Sequence, residues 1–225
     1  MKMRHNINLT RLVAAGGVVI LPLLYAMEGQ QSINSSQVIL AAYQSTQLNI
    51  ECESGTLEDP SYLIMLQKRQ QAAEETLAEL GVEIPAEIIE ITEIVGQKYE
   101  ICPELLQAII WQESRCIASV KNASCSGLMQ INVANKFNED HIKEMAADKN
   151  LTYAEAIFND EINIEAGAQL LKYLFDNYGD DPAEILMRYN GDSTNLKRYK
   201  SGGDMSQYAK DTLEISELLE RAHGK

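Results

Sequence analysis

Apolar residues recur at helical spacing in successive stretches of this chain, and nowhere do they alternate long enough to predict a sheet. From Leu57 to Leu80 the residues Tyr62, Met65, Leu66, Ala73, Leu77 and Leu80 share a face among Gln, Lys, Arg and Glu, and Gly81 supplies a stop. Pro85 opens a second helix in which Ile88, Ile91, Ile94 and Val95 recur, ending near Gly96 or running on to Tyr99. Cys102-Pro103 opens a third, because Pro suits the first turn and Glu104 complements the positive end of the helix dipole. It runs through ELLQAIIWQES. Ile164, Ala168, Leu171 and Phe175 mark a further stripe that Gly179 ends. Gly167 beside this stripe costs a helix about 1 kcal/mol, which predicts a close contact with another helix. Asp181-Pro182 starts the segment AEILMRYNG, and a last helix carries Tyr208, Leu213, Ile215, Leu218 and Leu219. The fold expected is mainly α.

Ahead of these helices, residues 1–27 hold Lys2, Arg4 and Arg11, no acid, and the uncharged run Leu12–Met27. The run is shorter than the ~20 residues that span hydrocarbon and Pro22 interrupts it, so it reads as a signal peptide in preference to a short membrane anchor. Export to the cell envelope or the extracellular space is the expectation, with membrane contact only through this segment if it is not cleaved. Residues 28–56, rich in Gln, Ser, Asn and Thr, read as a linker. The N-terminal helical region, 57–95, carries no recognisable motif and reads either as a brace on the domain at 96–225 or as a dock for an envelope-spanning or cell-wall complex.

Composition narrows the chemistry. With 45% apolar and 23% charged residues the chain can bury a core, and a net charge of −14 argues against a nucleic-acid partner. Cys52, Cys102, Cys116 and Cys125 form an even set, as disulfides in an oxidising compartment require. Cys116 and Cys125 are near enough in sequence to close a small loop, leaving Cys52 with Cys102. There is no CxxC pair, and of three histidines His5 falls in the signal while His141 and His223 sit in polar surroundings. No metal, no cofactor and no Ser-His-Asp triad are expected.

The chemistry that remains is acid–base. In the third helix Leu106, Ile109, Ile110 and Glu113 stand at i, i+3, i+4 and i+7, which puts a carboxylate on the apolar stripe. Burial raises a carboxyl pKa, and a Glu protonated near neutrality can serve as a general acid. The same spacing also suits a Glu113 that pairs with Arg115 or caps a neighbouring helix. Farther on, Gly127-Leu128-Met129-Gln130-Ile131-Asn132 predicts an extended segment with Gln130 and Asn132 on one side, amides that suit sugar hydroxyls and N-acetyl groups or else stay exposed in a turn.

Taken together, Glu113-Ser114 at the end of KYEICPELLQAIIWQES, GLMQIN at 127–132, NIEAGAQLLKYL at 163–174, Tyr189-Asn190-Gly191 and the late Tyr208 resemble the soluble lytic transglycosylase (SLT) catalytic domain, whose fold is like goose-type lysozyme. The resemblance covers about residues 95–217 and rests on four blocks in the family's order. It implies a lysozyme-like helical domain at 96–225 acting on peptidoglycan glycan strands, with Glu113 as the sole catalytic acid. It further implies that Met129, Gln130, Tyr189 and Asn190 line the glycan groove, that Tyr208 lies near the acid, and that Ser114, the residue after the acid, supports the local backbone with its hydroxyl. Asn132 stands where the family often has Pro, and either contacts sugar or turns the chain. Ser124 and Cys125 replace a usual Gly and Ala, and Ser119 and Lys121 are alternative matches to the family's loop serine. The reaction implied is cleavage of the β-1,4 bond between N-acetylmuramic acid and N-acetylglucosamine to a 1,6-anhydro product. A muramidase using water, with Asp160, Glu161 or Asp192 as second carboxylate, and a non-catalytic wall-binding module are the alternatives.

Overall fold

The computed structural model describes residues 60–225 apart from Ala123. The expected signal segment, the linker at 28–56 and Cys52 lie outside the described residues. Helices α1 (Pro60–Glu79), α2 (Ala86–Tyr99) and α3 (Pro103–Ser114) come first, followed by a two-stranded hairpin, β1 (Cys125–Ser126) with β2 (Ile131–Asn132). Then come α4 (Lys136–Asp148), α5 (Tyr153–Ala156), α6 (Asp160–Tyr178), α7 (Pro182–Tyr189), α8 (Ser193–Lys200) and α9 (Gln207–Ala222). The protein is mainly α, as expected for a lysozyme-like helical domain.

Local chemistry explains most of these boundaries. From α4 onward every helix has a side-chain N-cap, in order Asn135, Thr152, Asn159, Asp181, Asp192 and Ser206, each accepting a backbone N–H of the first turn. Helices α2 and α3 start at prolines instead, Pro85 and Pro103. The polar α4, with only Asn138, Ile142 and Ala146 buried, escapes a reading based on apolar stripes.

Helix α3 is the centre of the fold. Leu106, Ala108, Ile109 and Ile110 are 0% exposed, and its one interior amide, Gln107, donates to Thr92 Oγ1 of α2 at 3.0 Å. A helix apolar on nearly all faces must be surrounded, and α2 and α9 pack against α3 while α6 packs on α2 and α7 on α6 and α9. Helix α1 is covered through Ala73 and Leu77, which share a cluster with Ala108 and with Ile215, Leu218 and Leu219 of α9. Met65, Leu66 and Leu80 of its expected stripe are exposed, as is Ile94 of α2, because no described element lies over those positions. Gly96 does not stop α2. A side chain there would strike the Ile101 carbonyl, so it admits the tight turn into α3.

At the start of α3, Glu104 does more than complement a dipole. It is 0% exposed and accepts from His223 Nδ1 at 2.8 Å, Lys225 Nζ at 2.7 Å and Cys102 Sγ at 3.1 Å. His223 is an exposed residue, as its polar surroundings suggest, but its ring is turned onto Glu104. Burial alone would raise the Glu104 carboxyl, but these donors outweigh it and hold the pKa at about 2. Cys102, Cys116 and Cys125 are free thiols, so the expected Cys116–Cys125 bridge is not formed. Cys116 lies at φ 61°, with Sγ directed at the Glu83 carbonyl 3.8 Å away, while Cys125 belongs to β1. Cys102, the expected partner of Cys52, donates to Glu104, and burial pushes its pKa up to about 12.

A carboxylate whose folded pKa lies below its unfolded value adds stability above about pH 4.5, which is lost as pH falls toward about 2. Replacing both His223 and Lys225 with Ala should therefore cost about 1–3 kcal/mol at pH 7 and much less at pH 3, as read by urea denaturation at the two pH values.

Candidate active site

Helix α3 ends abruptly. Ser114, 4% exposed, donates from Oγ to the Ile110 carbonyl at 3.0 Å, and Arg115 and Cys116 then take left-handed backbone, φ 52° and 61°. Non-glycine residues hold that conformation at a cost of about 1–2 kcal/mol each. The chain thus leaves the helix axis one residue after Glu113 and keeps this carboxylate in the last turn. Arg115 does not pair with Glu113; its guanidinium lies 4.8 Å from the Trp111 ring centre.

The partner of Glu113 comes from α9. Tyr208 Oη donates to Glu113 Oε1 at 2.7 Å. Burial raises the Glu113 carboxyl above its ordinary pKa, and the Tyr208 hydrogen bond pulls it back only in part. Among the described residues no other group contributes to this shift. Tyr208 in turn is raised by burial and then by the adjacent Glu113, so it remains a hydroxyl donor throughout the working range. Tyr189 is raised well above its usual value by burial first, then by Glu113 and Cys125, so Tyr189 and Cys125 join Tyr208 as neighbours of one half-buried carboxyl. The Asn190 side chain reaches Tyr208 and lowers its pKa slightly.

The GLMQIN segment approaches from the other side, extended as expected only at Ile131–Asn132, which form β2. Gln130 has φ 46°, and its amide is consumed within its own loop. Its Nε2 donates to the carbonyls of Gly127 at 2.9 Å and Val120 at 3.1 Å, and its Oε1 accepts from Asn122 at 3.1 Å. Asn132 turns the chain, accepting from Ala134 N at 3.0 Å. The two amides do not form a common face. Met129 is 0% exposed, backbone included, and its carbonyl accepts from Tyr189 Oη at 2.8 Å, so it holds Tyr189 in place. Its side chain fills the space over Gly167, where a methyl would overlap it. The close approach predicted at Gly167 therefore comes from the loop and not from a helix.

Asn163 is the residue that the apolar stripes miss. It is 1% exposed on α6, accepts from Met129 N at 2.8 Å, and donates to the carbonyls of Ser126 at 3.0 Å and Ile157 at 2.9 Å. Gly127, at φ 83°, lies against this carboxamide with no room for a side chain. An Asn inside a helix with neighbours on both sides apolar was the signal available. The loop at 120–127 is closed by Gly127 N to Val120 O at 2.9 Å and by a Lys121–Ser126 bridge; among the alternatives for a loop serine, Lys121 is thus a backbone partner of the hairpin. Of the three further carboxylates considered, Glu161 pairs with Lys149 and Asp192 accepts from Asn195 N at 3.1 Å. Asp160 is raised by burial and then by Glu161. No cluster of metal-ligating side chains occurs among the described residues.

The arrangement holds one proton-exchanging carboxyl at the end of a rigid helix, with a hydroxyl donor on it and hydrogen-bonded backbone beside it. The family model of the transglycosylase SLT domain matches residues 90–211, more than half of the chain. No curated protein matches it.

Two outcomes follow from this geometry. Asn163→Ala strands the Met129 N–H and two carbonyls, and should destabilise the domain by about 2–4 kcal/mol in urea titrations. Glu113 has a folded pKa above its unfolded one, so its charge opposes folding at neutral pH and this cost disappears as pH falls below the folded pKa. Glu113→Gln should accordingly raise the melting temperature at pH 7 and leave it nearly unchanged at pH 4.

Proposed function

This chain belongs to the transglycosylase SLT domain family, a family of lytic transglycosylase-type peptidoglycan enzymes, and from that premise we propose that it cleaves the β-1,4 bond between N-acetylmuramic acid and N-acetylglucosamine by a non-hydrolytic route. The observation that carries this reading is the setting of Glu113: one raised carboxyl, 2.7 Å from Tyr208, on which no second carboxylate acts among the described residues. Hydrolysis by either common geometry uses a pair of carboxyl groups at a set separation.

In the proposed reaction, protonated Glu113 gives its proton to the leaving glycosidic oxygen as the C1–O bond breaks and an oxocarbenium-like centre forms. The Tyr208 hydroxyl donates to the carboxylate left behind, which limits the cost of that charge in a half-buried site. The carboxylate then takes the proton of the C6 hydroxyl of the same sugar while its oxygen bonds to C1, giving a 1,6-anhydro ring. Glu113 is returned to its protonated form, and no water is consumed. Asn190, exposed at the end of α7, is the groove contact of this reading, with the buried backbone around Met129, held by Gln130 and Asn163, supporting the wall behind Tyr189. Export, and action in the envelope or outside the cell, are proposed with it. An envelope-spanning or cell-wall complex is the setting proposed for the N-terminal helical region.

Mass analysis of soluble fragments released from purified peptidoglycan tests this. The chain should release anhydro products and Glu113→Gln should release at least ~10³-fold less, since one residue serves both proton transfers. Reducing products formed by addition of water would make it a muramidase instead.

A further inference from the structure

Helix α1 has two sides, and the described fold uses one of them. Ala73 and Leu77 are buried against Ile215, Leu218 and Leu219 of α9. On the same side Gln70 donates from Nε2 to the Ala222 carbonyl at 2.7 Å. At about 100° per residue the opposite side is centred on Ala72, with Ile64, Met65, Lys68 and Arg69 before it and Glu75, Glu79 and Leu80 after it. All of these are exposed, Ile64 and Met65 at 51% and Leu80 at 54%. Leu80 keeps the helical register, since its N–H donates to the Thr76 carbonyl at 3.0 Å.

The charges on this outer side are sorted along the helix. One turn away from Lys68 and Arg69, in either direction, there is no acid. Glu75 and Glu79 stand four residues apart, a like-charged pair that an isolated helix disfavours. Glu75 accepts from Gln71 Nε2 at 2.9 Å, and among the described residues none of these four charges is in an ion pair.

Laid antiparallel on a copy of itself and centred on Ala72, this face meets its own complement. Positions equally far on either side of Ala72 then stand opposite one another, and each contact occurs twice about the two-fold axis. Arg69 faces Glu75 of the second copy, and Ile64 faces its Leu80. Ala72, with only a methyl group, lets the two helices approach closely where they cross. A lipid surface fits less well, because the same face would carry Glu75 and Glu79 toward an anionic membrane.

We infer that α1 pairs antiparallel with α1 of a second copy of this chain, through the face centred on Ala72, to form a two-fold dimer. The overlap from Ile64 to Leu80 is about 24 Å of helix, an interface of the small class below about 1,200 Å², so the dimer is weak and its charges decide the partner. The face is turned away from α9, and so from the contact between Tyr208 and Glu113, and pairing leaves both sites open. The inference stands on α1 and does not depend on the reaction proposed for Glu113.

The test is sedimentation equilibrium of the full chain over a concentration series reaching ~1 mM, which brackets a weak dimer. The parent should dimerise. Arg69→Glu and Glu75→Arg, each made alone, should raise the dimer Kd about tenfold, because each sets like charges opposite one another at two places. Mixing these two variants in equal amounts should restore association, and so should placing both changes in one chain. Such rescue excludes misfolding as the cause of the loss. Ala72→Arg, which brings two bulky cations to the crossing, should abolish the dimer. A parent that stays monomeric throughout, including one that binds lipid vesicles instead, would overturn the inference. Association that the single changes leave intact, or that mixing does not restore, would overturn it as well.

Discussion

A carboxyl group kept from water and yet supplied with a hydrogen-bond donor is the constraint from which the rest of this structure follows. Glu113 can be held so only at the end of an element that is itself immobile, and α3, fully buried along Leu106 to Ile110, is that element. The surrounding helices serve to enclose α3, and α9 both covers it and brings Tyr208 to the carboxyl. The strained residues Arg115 and Cys116 belong to the same requirement, since a longer helix would carry the chain past the site.

The second wall of the site is built from backbone, and backbone needs partners. Met129 is fixed at its N–H by Asn163, at its carbonyl by Tyr189 and through its side chain against Gly167. Three elements that are distant in sequence converge on one residue, which explains why a hairpin of two-residue strands keeps its shape. Substrate contacts of the proposed reaction inherit that order, because the groups that would meet sugar are held by groups that do not.

Much of this was legible in the sequence because packing leaves a periodic mark. The helical stripes of α3, α6, α7 and α9 and the proline and glycine punctuation matched the structure closely, and Glu113 stood out as a charge on an apolar face. The polar helices α4 and α8 had no such stripe, so their caps at Asn135 and Asp192 were the only sign of them. Gln130 misled because alternation was read as extended backbone, which holds for Asn132 in β2, whereas Gln130 adopts positive φ and spends its amide internally. The Cys116–Cys125 pairing misled because closeness in sequence carries no information about where two side chains point.

The two carboxyl groups of α3 have been moved in opposite directions. Glu104, at its start, is held ionised down to about pH 2 by His223, Lys225 and Cys102, while Glu113, at its end, is pushed toward its neutral form. One helix thus carries a carboxyl that keeps its charge in acid at one end and a carboxyl that gives its charge up early at the other, so the two ends of α3 answer a fall in pH at different points.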